Sequence, residues 1–337
     1  MGDVLVAYEK LKKLCSIKLQ KAGVPSEHAN IVADVLVHAD ARGVTSHGVL
    51  RTEHYVKRVI EGGLNTYPSF SIKETGPVTA IFDGDDGFGH VISKNAMDHA
   101  IELAKKNGIG MVSVINSSHC GALSYFVNQA AEANLIGMAM TQTDKLVVPF
   151  GGAEPYFGTN PIAYGFPAKK HQPVILDMAT SNAALGKILH AREAGKEIPN
   201  NWGVDQTGKP STDPNKVTAL LPFGGPKGYG LAMVVDILSG IMTGSAFGPH
   251  IKPMYGDYNE MRKLGHFYCV IDPAMFTDPV IFMENMDGMI DEIHDVQPAE
   301  GFNRVMVPGE PEQLREEGHI QNGVPVTERV YNYLVQS

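Results

Sequence analysis

Near Ser71 the hydrophobic periodicity of the chain changes from a helical repeat to short β-branched runs, so the two parts belong to different layers of structure. Before this point Val4, Leu5, Tyr8, Leu11, Leu14, Cys15 and Leu19 recur at helical spacing over residues 3–21, with Asp3 as a candidate N-cap and Gly23 beyond the end. A second helix is expected over residues 26–41, stopped by Gly43. A third is expected with Thr45 or Ser46 as its cap, ending before Gly62 and Gly63. Residues 1–72 thus read as a helical region, with a C-terminal helix in the stretch 311–337 expected to join it.

After Ser71, strands are expected over residues 78–82, 109–115, 136–141, 161–166, 174–178, 266–272 and 304–307. Helices are expected between them at 91–106, 121–134 and 278–294, and a closing helix at 327–335. Such alternation indicates an α/β domain, here over residues 73–310. The short turns Phe150-Gly151-Gly152 and Gly158-Thr159-Asn160 favour antiparallel pairing of some strands, which makes the sheet mixed. Residues 193–222, with Trp202, Asp205 and Pro214, read as a polar surface excursion. The most apolar helix follows at 229–242 and must be buried somewhere.

Charge and cysteine content narrow the functional classes. The 337 residues carry 28 Lys+Arg against 37 Asp+Glu, a net charge of −9 with no basic run, which argues against nucleic acid as the main partner. No stretch has the 18 or more apolar residues of a membrane helix, and residues 1–11 lack the pattern of a secretory leader, so a cytoplasmic protein is expected. Cys15, Cys120 and Cys269 are odd in number and widely spaced, which fits neither a disulfide framework nor a zinc site. The 13 histidines show no paired ligand spacing, and no catalytic metal is expected.

Three constellations could carry chemistry. In Asp40-Ala41-Arg42-Gly43-Val44-Thr45-Ser46-His47-Gly48-Val49-Leu50-Arg51, a helix starting near Ser46 would align His47, Arg51 and Tyr55 on one face. A guanidinium binds carboxylate through two parallel bonds and an imidazole moves protons near neutral pH, so the trio suits a small carboxylate substrate. The same residues also read as a solvated helix face. In Asn116-Ser117-Ser118-His119-Cys120-Gly121 a strand hands over to a helix, where ligands of open α/β folds bind. His119 is there either an acid/base group or a cap, and Cys120 beside it leaves a thiol hydrolase open. Phe223-Gly224-Gly225-Pro226-Lys227-Gly228-Tyr229-Gly230 enters the apolar helix as a phosphate cradle or a packing turn, matching neither the P-loop nor the Rossmann pattern.

Together these segments resemble the malate/L-lactate dehydrogenase family of the second type, whose fold differs from the Rossmann dehydrogenases. The resemblance also rests on Val148-Pro149-Phe150-Gly151-Gly152, Gly158-Thr159-Asn160-Pro161, Leu176-Asp177-Met178-Ala179-Thr180-Ser181 and Pro308-Gly309-Glu310, in the family's order along nearly the whole chain. It implies a mixed, largely antiparallel sheet flanked by helices, with NAD as cofactor and a small 2-hydroxy acid as substrate. Ser124-Tyr125-Phe126-Val127 and the blocks at 147–154 and 225–248 resemble the branch that oxidises ureidoglycolate to oxalurate in allantoin breakdown. Malate, lactate and sugar-derived keto acids are the alternatives within the family, and a binding protein that merely retains the fold is the alternative outside catalysis.

The resemblance assigns His119 as general base, with His47 and Ser46 as a proton donor and its relay, and it leaves open which histidine is the base. Arg51 would grip the substrate carboxylate, with Tyr55 beside it. Thr143, Asp177, Met178, Ala179, Lys227, Pro308, Gly309 and Glu310 match cofactor-contacting positions. A homodimer or larger assembly is implied.

Overall fold

The computed structural model describes residues 2–336. The chain opens with strand β1 (Asp3–Val6), followed by helices α1 (Tyr8–Lys21), α2 (Ser26–Ala41) and α3 (Thr52–Glu61). Next come β2 (Ser71–Gly76), β3 (Thr79–Asp83), α4 (Gly89–Asn107), β4 (Ile109–Ser117), α5 (Ser124–Glu132), β5 (Ile136–Thr141), β6 (Ile162–Phe166) and β7 (Val174–Met178). Then follow α6 (Leu185–Glu193), β8 (Gly203–Val204), β9 (Ala219–Leu220), α7 (Pro226–Ser239), β10 (Leu264–Ile271) and α8 (Pro279–Asp295). The last elements are α9 (Glu310–Asn322), β11 (Val324–Thr327) and α10 (Glu328–Val335).

The main sheet has seven strands in the order β2-β3-β4-β10-β5-β6-β7. Only β3 and β4 pair in parallel, joined by the α4 crossover, and every other neighbouring pair is antiparallel. The expected mixed, largely antiparallel sheet flanked by helices is the fold observed. Strand β10, 147 residues beyond Ser117 in sequence, inserts between β4 and β5 and is buried along nearly its whole length. Burial on both faces explains why its apolar run is continuous rather than alternating. Phe82, Ile92, Met97, Val112, Val114, Phe126, Val127, Tyr268 and Val270 form the core between the sheet and α4 and α5.

A second core unites the two ends of the chain: Val6, Leu11, Cys15, Leu19, Val32, Leu36 and Tyr55 pack with Val324, Val326, Val330 and Leu334. Residues 3–6 are not the first turn of a helix, because they pair antiparallel with β11 in the register Asp3↔Thr327 and Val6↔Val324. Asp3 therefore caps nothing, and α1 begins only at Tyr8. The stretch 311–337 is likewise not one helix, since Gly323 at φ +96° ends α9 and lets β11 form. Residues 304–307 form no strand. The segment 193–222 carries more structure than a surface excursion, for Ile198, Val217 and Leu220 pack with Ile188 of α6 and with Val147 into a small core of their own. Helix α7 buries Val235 against the sheet and Ala232 in the small core with Val147 and Ile188, yet Met233, Val234 and Ile237, with Ile241 and Met242 beyond its end, stay more than a third exposed. No helix among the described residues is long and apolar enough to cross a membrane.

Glycine on the strands sets how closely the helices lie on the sheet. A Cβ at Gly165 of β6 would stand 2.4 Å from the Val127 carbonyl oxygen of α5, and one at Gly110 of β4 would stand 2.1 Å from the Ala100 oxygen of α4. Both contacts are with backbone, which cannot rotate aside, so the layers would have to separate. Gly165→Val is expected to destabilise the protein by roughly 1–3 kcal/mol, the usual cost of overpacking a filled interior. A lowered midpoint in urea unfolding, with an unchanged m value, would register it.

Candidate active site

The segment 45–51 is not the start of α3. Two short 3₁₀ turns, Thr45–His47 and Val49–Arg51, meet at an extended Gly48 (φ −86°, ψ −161°), and α3 begins at Thr52. His47, Arg51 and Tyr55 therefore do not share one helical face, because the backbone breaks at Gly48 between the first two and Tyr55 sits inside the protein. The Ser46 hydroxyl lies 3.0 Å from His47 Nδ1, and Arg51 Nε donates to the Ser46 carbonyl oxygen at 2.7 Å. Arg51 also donates through Nη1 to the Tyr255 hydroxyl.

His119 arrives from the opposite side, on the loop that leaves β4. Its ring stacks on that of His47, centroids 5.6 Å apart and planes at 21°. The hydroxyl of Tyr55, a side chain only 2% exposed, lies 2.6 Å from His119 Nδ1. Each histidine thus has its Nδ1 engaged by a hydroxyl, which leaves each Nε2 without a hydrogen-bond partner among the described residues. His90, fully buried, meets the Tyr55 ring edge-on at 5.0 Å.

Loss of water governs the charge states here. Burial, followed by the like charges of His47 and Arg51, holds His119 well below the ordinary imidazole range. Burial and the Arg51 guanidinium push His47 down to about 4. Both rings are neutral at pH 7, so both can accept a proton there. Cys120 is buried and its thiol is pushed up to about 12, which leaves it protonated and removes the basis for a thiol nucleophile.

Ser46 and His47 line a cleft of about 720 Å³, whereas Arg51 and His119 are not among its lining residues. Asp177, Met178 and Ala179 at the end of β7 also line it, as do Pro308 and Gly309. Asp177 presents its side chain to the cleft while one oxygen accepts from the Ser124 N–H at 2.7 Å, which caps the N-terminus of α5. Gly309 (φ +86°) packs so tightly that a Cβ would stand 2.5 Å from the Ile175 oxygen. Glu310 is not among the residues lining the cleft: it accepts from Val307 N–H at 3.0 Å and pairs with His294 and Arg304, which secures the turn. Thr143 is a support as well, its hydroxyl accepting from Thr159 N–H at 2.9 Å. Lys227 stands exposed on the first turn of α7 and is not part of the cleft lining.

The cations that do line the cleft are Arg42 and Lys187, neither of which the sequence reading selected. Arg42 is buried and donates to Glu316 at 2.8 Å, tying α2 to α9. Tyr255 and Arg262 were also missed. Arg262, 4% exposed and paired with Asp144 at 2.6 Å, adds positive charge near His119. These two come from an irregular loop whose spacing carries no signal.

The sequence pattern of the malate/L-lactate dehydrogenase family matches residues 6–335. The chain belongs to that family. It is 44% identical over 330 residues to the NAD(+)-dependent ureidoglycolate dehydrogenase of Escherichia coli K12, covering 98% of this chain and 95% of that one. It is 41% identical to the L-sulfolactate dehydrogenase of Methanocaldococcus jannaschii, covering 97% and 94%. Among solved structures, the sulfolactate dehydrogenase from M. jannaschii superposes with a TM-score of 0.93 at 40% identity, covering 98% and 95%. Malate dehydrogenase from Pyrococcus horikoshii superposes with a TM-score of 0.89 at 37% identity, covering 98% and 93%.

The crowding of neutral imidazoles has a consequence for stability. Burial also pushes His38, His54, His90 and His266 down to about 3 from the ordinary 6.5. The unfolded chain takes up these protons below about pH 6.5 and the folded chain does not, so stability falls as pH drops from there toward 3. Asp40 and Asp236, raised by burial to about 7 and about 6, act in the opposite sense but are outnumbered. The melting temperature is therefore expected to fall from pH 7.5 to pH 5, measured by circular dichroism in buffers of equal ionic strength.

Proposed function

We propose that this protein oxidises ureidoglycolate to oxalurate with NAD, in the cytoplasm, with Arg51 holding the substrate carboxylate and His119 accepting the hydroxyl proton. The observation that carries the reading is the pair of stacked, neutral histidines with free Nε2 atoms beside the Arg51 guanidinium. The choice of substrate and cofactor is supported by the 44% identity to the ureidoglycolate enzyme.

The cleft fits a dinucleotide in size and in donor set. Its volume of about 720 Å³ falls in the range of cofactor pockets, and it offers a carboxylate, Asp177, suited to ribose hydroxyls. Asp177, Met178, Ala179, Pro308 and Gly309 would hold it, with Thr143 and Glu310 securing the turns and Lys187, rather than Lys227, as the nearer cation for its phosphates. When bound, the nicotinamide supplies the acceptor for the hydride leaving the substrate's 2-carbon.

The chain's own residues do the rest. Arg51 is prepositioned by its bonds to Ser46 and Tyr255, so little side-chain freedom is lost when a carboxylate docks. For His119 to act as base, its Nδ1–H donates to the Tyr55 oxygen, which leaves Nε2 unprotonated and able to accept a proton. Tyr55 thus orients the base from behind rather than touching substrate. Ser46 holds His47 in the same way, as close support for the proton transfer. The similar identity to a sulfolactate dehydrogenase favours, as a second reading, another 2-hydroxy acid in the same clamp.

The apolar face of α7 is accounted for by a second copy of this chain covering it, which makes the enzyme a homodimer or larger. Light scattering should give at least twice the monomer mass, and Ile237→Glu should reduce it.

A substrate panel tests the activity: NADH absorbance should rise fastest with ureidoglycolate, whereas faster turnover of malate, lactate or sulfolactate would move the protein to a sister activity. His119→Ala should lower kcat at least a hundredfold. Near-normal turnover in that variant, with loss in His47→Ala, would exchange the two roles.

A further inference from the structure

Asp40 lies outside every role assigned so far, yet it touches the hinge between His47 and Arg51. It is 4% exposed, on the last turn of α2, and its Oδ2 accepts from the Val49 N–H at 2.7 Å. At this junction Gly48 N–H donates to Thr45 and Arg51 N–H donates to Gly48, while the acceptor of Val49 N–H is the Asp40 side chain. A Cβ at Gly48 would stand 1.8 Å from Asp40 Oδ1, so the absent side chain is the room the carboxyl occupies. Among the described residues no cation bonds to it: Arg42, two positions on, donates to Glu316 instead. Of the ionisable groups on the elements packed here, Cys15 of α1 feels the Asp40 charge and is held by Thr52, His38 stands two residues earlier on the same helix, His47 and Arg51 flank the junction in sequence, and Arg315 lies against Gly43.

We propose that Asp40 is the positioning residue that sets the pose of His47 and Arg51, its carboxylate clamping the Gly48–Val49 junction so that the 2-hydroxy acid is gripped tightly only while Asp40 is ionised. The inference rests on the reading of His47 and Arg51 as substrate-facing groups. An anionic acceptor makes a stronger bond to N–H than a neutral one, so ionisation tightens the junction. Burial raises this carboxyl to about 7, which places the change within the working range.

Two measurements decide it. Protection of the Val49 amide against hydrogen exchange, corrected for the intrinsic pH dependence, should rise about tenfold from pH 6 to pH 8 in the unmodified enzyme, as a charge-assisted bond replaces a neutral one. Asp40→Asn should abolish that rise. In steady-state assays with whichever 2-hydroxy acid is turned over fastest, Asp40→Asn should raise its KM about tenfold and remove the step in kcat/KM near pH 7. The KM for NAD should change less than the substrate KM, because Asp177, Met178, Ala179, Pro308 and Gly309 of the cleft lie away from the Gly48–Val49 junction. Gly48→Ala, which drives the same groups apart, should raise the substrate KM likewise. Val49 protection that is flat with pH in the unmodified enzyme would overturn the proposal, as would a step near pH 7 that survives in Asp40→Asn. The exchange measurement needs no turnover, so failure of this inference and failure of the proposed activity are read separately.

Discussion

The insertion of β10 between β4 and β5 is the contact on which the rest of the molecule depends. It closes the sheet across strands far apart in sequence, and it is pinned by a buried imidazole: His266 Nδ1 lies 2.6 Å from the Thr141 hydroxyl and Nε2 lies 2.8 Å from the Ser117 hydroxyl. Burial keeps that ring neutral, so it can donate at one nitrogen and accept at the other. Ser117 ends β4, and two residues later the chain delivers His119. The same strand pairing that completes the core therefore aims the candidate base.

The other half of the site rides on the helical end of the molecule. Tyr55 packs in the core formed by α1, α2 and α3 with β11 and α10, and Phe88 and Val91 at the start of α4 join that core to the sheet. The Tyr55 hydroxyl reaching His119 is consequently a contact between two separately packed layers, and its 2.6 Å separation is set by how they dock. Arg42 makes the corresponding tie beside the cleft, from the end of α2 to Glu316 of α9. The cleft lies where these layers meet, which is where backbone ends, charged side chains and solvent can coexist.

Local patterns were enough for much of this. Helix α2 occupies residues 26–41 as expected because its end signal, Gly43 at φ +78°, is local. Strands β5 and β7 match their expected spans because their β-branched or apolar runs are bounded by turns. The first turn of the chain was misread because Val4, Leu5 and Val6 fit helical spacing as well as a strand, and the partner that decides lies at residues 324–327. The expected helical alignment of His47, Arg51 and Tyr55 failed at the extended Gly48, where the buried Asp40 carboxyl takes the space a side chain would need.

By itself, the sequence determined the family, the mixed α/β class, most helix ends and the identities of His47, Arg51 and His119 as candidate chemistry, since these rest on neighbours within a few residues. Only the tertiary structure decided that the two histidines stack, that Tyr55 stands behind His119, that Tyr255 meets Arg51 and that Lys187 rather than Lys227 lines the cleft. Those outcomes depend on side chains brought together from distant parts of the chain by the docking of packed layers, and contacts of that range leave no periodic trace in the chain.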